Sequence, residues 1–439
     1  MQKQKKILLT SILAVLFLLS FIRVIFFTEQ VSRQSLQMDF TAYYTAGKVM
    51  NLNLNPYKNY IAEDWNLWDG VAQYKHSRFL YPPIAGSFFQ PFAKLQYSTA
   101  KHIWNYLNFI FVISAVFLWL KISRFDRNII IILITGIFIF NFFPLYTLLE
   151  RGQIDGLTFL LLSFGIFLGI KKKNLAAGIF FAFASIFKFY SILIIPFLLL
   201  RKKFNTVISF VISLIGLISV MYAFNGTSLT NDYIFNQLPR ISEFTEGGTE
   251  EMKIDSWILK NYFGISRYSI SLMEGQFFVS ESISFFSKAS LIRAISTSQD
   301  KIGLNLSNSI WSVILFIIVF IFFLKNIKVY NELNLWMTIF LMILVCSPFT
   351  WVMNLVWLIP VIFVIFKLIQ MDLYKNFIFA FIITGLTVIS IPDNYKVNNL
   401  IIDGFMKSRH VMGEILILTG MLLLPGLMRF KISTSESSK

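Results

Sequence analysis

The chain predicts an all-α polytopic membrane protein, and three observations carry that reading. Of its 439 residues 56% are hydrophobic and only 14% charged, with Phe alone contributing 49. A soluble fold of this size needs far more polar surface. Apolar runs long enough to approach a bilayer-spanning helix, about 20 residues, recur along the whole chain. The third observation is the placement of Lys and Arg, which gather in short connections between those runs.

Taken in order, the runs cover 7–27, 99–120, 128–148, 156–170, 175–200, 204–224, 310–324, 335–346, 355–366, 377–391 and 411–428. Basic residues fall at Lys3, Lys5 and Lys6, at Lys121, Arg124 and Arg127, and at Lys171–Lys173. They recur at Arg201–Lys203, Lys325 and Lys328, Lys367 and Lys375, and Arg429 and Lys431. Under the positive-inside rule these connections are cytoplasmic. The run 175–200 has basic clusters at both ends, so it is expected to be a hairpin of two short helices meeting outside near Lys188. That gives about twelve crossings by the length rule, with both termini cytoplasmic. Two long segments, 28–81 and 225–309, are then extracytoplasmic loops of a single integral membrane domain spanning 1–439. The formal net charge of +16 lies on the inner face and suits anionic membrane lipids, not nucleic acid.

The first run follows a basic start, as a signal peptide does. It lacks a small-residue cleavage site and is long for such a segment, so an uncleaved helix is expected. Cys346 is the single cysteine and has no internal disulfide partner. No tandem repeat or Gly/Ser linker divides the chain. His76, His102 and His410 lack metal-ligand spacing, and no cofactor or metal is implied.

Ionisable groups beside a bilayer are functional-site candidates, because they need partners or a polar ligand. Four segments of the expected outer face carry them. The first holds Asp39, Tyr43, Tyr44, Asn55-Pro56-Tyr57 and Tyr81-Pro82-Pro83. The second is Glu150-Arg151-Gly152-Gln153-Ile154-Asp155, the third Lys188, and the fourth Ser347-Pro348-Phe349-Thr350-Trp351 with Asn354. Each has a plain structural reading as well. Asp39 suits a helix N-cap, Asn55-Pro56 a turn and Pro82-Pro83 a helix start. Tyr43, Tyr44 and Trp351 suit the interfacial belt. Arg151 suits an ion pair with Glu150 or Asp155, and Lys188 a snorkelling side chain.

Taken together, the order Asp39-Phe40…Tyr43-Tyr44, Asn55-Pro56-Tyr57, Tyr81-Pro82-Pro83…Pro91, Gly152-Gln153, Ala177-Gly178…Lys188…Pro196 and Ser347-Pro348…Trp351 resembles glycosyltransferase family 87. The resemblance runs from the first helix to about Pro360. It implies a GT-C-like bundle, a polyprenyl-phosphate sugar donor, and a glycolipid or glycan acceptor in the cell envelope, with mannosyl transfer familiar in the family. It also implies a catalytic base in the first outer loop, which lands on Asp39. The chain departs from the family in having Asp155 where a neutral Asn is usual. It also has Met353 and Asn354 where many members carry histidine.

The chemistry expected is inverting displacement, with Asp39 taking the acceptor proton, a form of help worth roughly 10²–10⁴ in rate. Lys188 and Arg151 are expected to hold the donor phosphate. Tyr43, Tyr44, Asn55, Tyr57, Tyr81, Gln153, Asp155, Trp351 and Asn354 are expected to line the substrate site. Glu150 and Asp155 keep a double displacement open. A twelve-helix secondary transporter and a non-catalytic envelope assembly subunit are the competing classes. Against the transporter, the two halves show no similarity, and the polar residues gather at one interface instead of the midplane.

Overall fold

A computed structural model describes residues 2–33, 38–57, 79–239, 308–347, 350–392 and 400–437, with Leu291. Most of the segment 225–309 and part of 28–81, His76 included, lie outside the described residues, as do Pro348 and Phe349. Within them the chain is helical and carries no strand. The helices are α1 (Gln2–Arg33), α2 (Met38–Asn51), α3 (Pro83–Phe89), α4 (Tyr97–Ser123), α5 (Ile129–Ile139), α6 (Phe143–Arg151), α7 (Asp155–Ile170) and α8 (Asn174–Phe187). There follow α9 (Ile194–Leu200), α10 (Phe204–Asn231), α11 (Asn308–Asn326), α12 (Glu332–Cys346), α13 (Val361–Gln370), α14 (Phe377–Ser390) and α15 (Leu400–Ser437).

Among the described residues, five helical stretches are long and apolar enough to cross a membrane: Lys3–Arg33, Tyr97–Ser123, Phe204–Gln237, Val352–Gln370 and Ser408–Leu427. A sixth is added if α5 and α6, bent by 54°, form one broken span. The expectation of about twelve crossings counts the shorter apolar helices too; length and composition by themselves establish five or six.

The breaks have local causes. Pro144 stands in the first turn of α6, where its ring excludes the carbonyl one turn back and its missing N–H ends the ladder. The run 128–148 therefore forms two helices. Asn128 starts the first of them, its side chain accepting Ile131 N–H at 3.3 Å. The run 175–200 breaks at Lys188, whose backbone is extended (φ −137°, ψ 96°). A 3-10 turn, Phe189–Leu193, then leads into α9. Gly226, at φ 78°, interrupts α10 with a conformation that few other residues adopt.

The residues group into two compact units. One comprises Ile25–Ala115 and Tyr146–Ser282, the other Met1–Val24, Val116–Leu145 and Ile283–Lys439. In the second unit α14 and α15 meet through Gly385 and Gly413; a Cβ on Gly385 would stand 2.6 Å from the Gly413 carbonyl. In the first unit α8 approaches α10 in the same way, since a Cβ on Gly178 would stand 2.5 Å from the Thr206 carbonyl and 2.7 Å from the Phe210 nitrogen. Small residues at such crossings let backbones pack closely where lipid offers no hydrophobic drive. Ser209 Oγ donates to the Leu175 carbonyl at 2.6 Å along the same contact.

Two of the three Gly178 neighbours are backbone atoms and the third is the Ser209 Cβ, so none can swing aside. Gly178→Leu should therefore destabilise the first unit by about 1–3 kcal/mol, read as a lowered thermal midpoint of the purified protein in detergent. An unchanged midpoint would show that α8 and α10 do not depend on this contact.

Candidate active site

Five residues of chain bring three of the predicted side chains to one corner. Helix α6 ends at Arg151, Gly152 turns the chain at φ 63°, and α7 begins at Asp155. Only a residue tolerant of the left-handed region ends a helix this sharply. Trp104 of α4 anchors the corner, its indole N–H donating to the Gly152 carbonyl at 2.7 Å. Arg151 at a helix C-terminus and Asp155 at a helix N-terminus both sit where the backbone dipole favours their charge.

Helix α2 lies against this corner. Asp39 and Tyr43, one turn apart, share a face, while Tyr44 donates to the Leu95 carbonyl at 2.8 Å and Thr41 pairs with the Tyr97 hydroxyl at 2.7 Å. Gly47 lets the end of α3 approach, since a Cβ there would stand 2.6 Å from the Phe89 carbonyl. The Tyr43 ring stacks on Phe89 at 4.8 Å, and Phe89 meets Trp104 edge-on at 4.8 Å. An aromatic wall of this kind gives α2 one fixed rotation.

Two ion pairs result. Arg151 grips Asp39 in fork geometry, Nε to Oδ2 at 2.6 Å and Nη2 to Oδ1 at 3.1 Å, and both residues are buried. Lys188 Nζ stands 3.0 Å from Asp155 Oδ2, again with both residues buried. Arg151 thus closes its fork on Asp39. Asp39 sits inside the first turn of α2, not at its cap, and Lys188 does not snorkel.

Between the pairs lies a three-oxygen cluster. The Gln153 side-chain oxygen accepts the Ile154 N–H at 2.9 Å and the Tyr81 hydroxyl at 3.0 Å, and it also accepts the Tyr43 hydroxyl. The two hydroxyls are 3.0 Å apart. A backbone N–H can only donate, so the atom it meets on Gln153 must be the oxygen. Burial pushes the Tyr43 phenol well above its ordinary range. Burial also raises Tyr81, with Lys188 opposing. Both therefore stay protonated hydrogen-bonding groups. Lys188 Nζ lies 5.8 Å from the Tyr81 ring centroid.

The remaining expected residues have other surroundings. Asn55 and Tyr57 touch Asp232 and the Tyr81 backbone, and Tyr44 braces α2. Trp351 and Asn354 belong to the other compact unit, where the Asn354 side-chain oxygen accepts the Trp351 N–H at 2.6 Å. Two residues with structural leverage were not anticipated. Trp104 could have been found from the polar stripe Lys101, Asn105, Asn108 in the run 99–120, which marks an interior face. Asp232 could have been found as an acid just past the run 204–224.

Removing one partner of a buried ion pair leaves the other charge stranded, at about 3–5 kcal/mol, whereas replacing both with apolar groups is often near neutral. Lys188→Met should thus lower the thermal midpoint more than Lys188→Met with Asp155→Leu. A double variant as unstable as the sum of the singles would contradict the pairing.

The profile of glycosyltransferase family 87 matches residues 79–348. The match takes in Tyr81, Arg151, Gln153, Asp155 and Lys188, begins after Asp39 and Tyr43, and ends before Trp351 and Asn354. No curated protein matches the chain significantly. Well over half of this helical, apolar chain follows the family's pattern, and the chain belongs to glycosyltransferase family 87: it is a membrane glycosyltransferase.

Proposed function

We propose that the chain transfers a hexosyl residue, mannosyl-like, from a polyprenyl-phosphate-linked donor to an envelope glycolipid or glycan. The transfer takes place on the extracytoplasmic face of the plasma (inner) membrane, with both termini cytoplasmic and the segments 28–81 and 225–309 outside. The observation that supports this reading best is the clasp of Asp39 by Arg151 inside a buried corner that also carries Lys188. Transfer from a phosphate leaving group calls for a carboxylate base near cations that can hold the phosphate, and the two ion pairs supply both kinds of group.

The acceptor hydroxyl attacks the anomeric carbon as its proton passes to Asp39. The bond from that carbon to the phosphate oxygen breaks, and its electron pair stays on the polyprenyl phosphate. Preorganised cations stabilise the charge that develops there. Arg151 offers a planar fork suited to phosphate and Lys188 a point charge. Each cation is held by a carboxylate in this structure, so donor phosphate enters by exchange. When Arg151 turns to phosphate, the Asp39 oxygens become available to the acceptor. Tyr43 and Gln153 offer hydroxyl and amide groups to the sugar. With Asp39 as the base, the transfer is a single inverting displacement that needs no second carboxylate as nucleophile.

Asp39→Asn keeps the shape of the side chain and removes the base. Transfer should fall by about 10²–10⁴, while the protein still expresses and binds polyprenyl-phosphate sugar. Full activity in that variant would refute the assignment of the base. Lys188→Ala should weaken donor binding as well as turnover, and unchanged kinetics would remove Lys188 from the phosphate site. Comparing envelope glycolipids by mass spectrometry with and without the protein would identify the product.

A further inference from the structure

Asp232 has no role in the reaction described above, yet it is tied to the site by an unbroken line of contacts. It opens a single π-helical turn, Asp232–Gln237, directly after α10, and such turns often mark functional positions. One carboxylate oxygen accepts from Asn55 Nδ2 at 2.8 Å and the other from Asn236 Nδ2 at 2.9 Å. The Asn55 oxygen accepts the Tyr57 N–H at 2.9 Å, closing Asn55-Pro56-Tyr57 into a side-chain-bridged turn. The Tyr57 ring packs on Phe79 and on Tyr233, with centroids 5.8 Å away in each case. Residues 232 and 233 therefore grip this turn through both a hydrogen bond and a ring contact.

The turn then reaches the site. Tyr57 donates its hydroxyl to the Tyr81 backbone carbonyl at 2.7 Å, and burial keeps that phenol protonated by raising it well above its ordinary range. Tyr81 is only partly buried. It presents its hydroxyl to Tyr43 and Gln153 and its ring to Lys188. Among the three clustered oxygens, the Gln153 oxygen already takes the Ile154 N–H and the Tyr43 proton. A carbonyl oxygen has two lone pairs, so the Tyr81 proton can leave this acceptor at little loss. Tyr81 is thus the member of the cluster with a proton to offer a ligand beside Lys188.

We propose that Asp232 is a positioning residue for Tyr81. Acting through Asn55 and Tyr57, it fixes the backbone at Tyr81 so that the hydroxyl donates to an anionic oxygen of a polyprenyl-linked phosphate next to Lys188. The proposal rests on the donor reading given above. The strut joins the two segments that flank the site in sequence, 38–57 and 79–81 on one side and 231–237 on the other, within one compact unit.

The test uses the purified full-length protein in detergent and polyprenyl monophosphate as probe, with affinity measured by titration. Asp232→Ala, Tyr57→Phe and Tyr81→Phe should each weaken binding about tenfold, equivalent to about 1.4 kcal/mol. Asp232→Ala combined with Tyr81→Phe should bind no more weakly than Tyr81→Phe alone, because residues acting in series are not additive. Asp232→Asn, whose amide oxygen still accepts from Asn55, should recover most of the affinity. Wild-type binding by both Asp232→Ala and Tyr57→Phe would overturn the proposal. So would a full further loss when Asp232→Ala is added to Tyr81→Phe, which would mark Asp232 as merely structural. If Asp232→Ala fails to fold, Tyr57→Phe, which removes one hydroxyl, bears the same comparison. Failure of the wild type to bind the probe would sink the donor assignment itself, and the strut with it.

Discussion

A charge placed in an apolar helical protein must find an opposite charge or a full set of hydrogen bonds, because no water is at hand to solvate it. Asp39 and Arg151 satisfy that constraint with a two-bond clasp. The clasp joins α2 to the α6–α7 corner across more than a hundred residues of chain. Asp155 and Lys188 do the same between α7 and the end of α8. A buried pair of this sort is poor evidence for stability as such, since apolar replacements often serve as well. In the transfer proposed above, both cations serve the leaving phosphate.

The corner Arg151–Asp155 concentrates this design. A helix end, a left-handed glycine and a helix start place a cation, an amide and an anion within five residues. Backbone geometry sets where these side chains leave the chain, and the ion pair and the tyrosine hydroxyls then fix the rotamers of Arg151 and Gln153, at about 1.5–2 kcal/mol of side-chain entropy each. Trp104 locks the corner from α4, and the aromatic wall of Phe40, Tyr43, Phe89 and Trp104 locks α2 against it. Polar groups held by partners on rigid elements are the arrangement in which electrostatic preorganisation is most effective.

Several residues change meaning once their neighbours are known. Asn55 and Tyr57 look like ligand groups in a polar outer segment, yet their polar atoms are turned to Asp232 and to the Tyr81 carbonyl. Pro83 does begin a helix, and Asn55 does close a turn on Tyr57, as local sequence rules expect. Those readings succeed because capping and turn chemistry act over a few residues. Pairing does not: Arg151 has Glu150 beside it and Asp155 four residues on, yet its fork closes on an aspartate 112 positions away.

What the sequence determined by itself is the helical, membrane-suited character of the chain, its family and the short list of polar residues from which a site can be built. Composition, apolar periodicity and local turn chemistry are properties of neighbours along the chain, so they are legible without coordinates. Only the tertiary structure decided which carboxylate faces which cation, that the run 128–148 is divided at Pro144, and that Trp104 holds the Gly152 carbonyl and Asp232 the Asn55 side chain. Those outcomes depend on which helix faces meet. That is settled by packing small residues such as Gly47 and Gly178 against a partner backbone, an interaction that leaves no signature within any one segment.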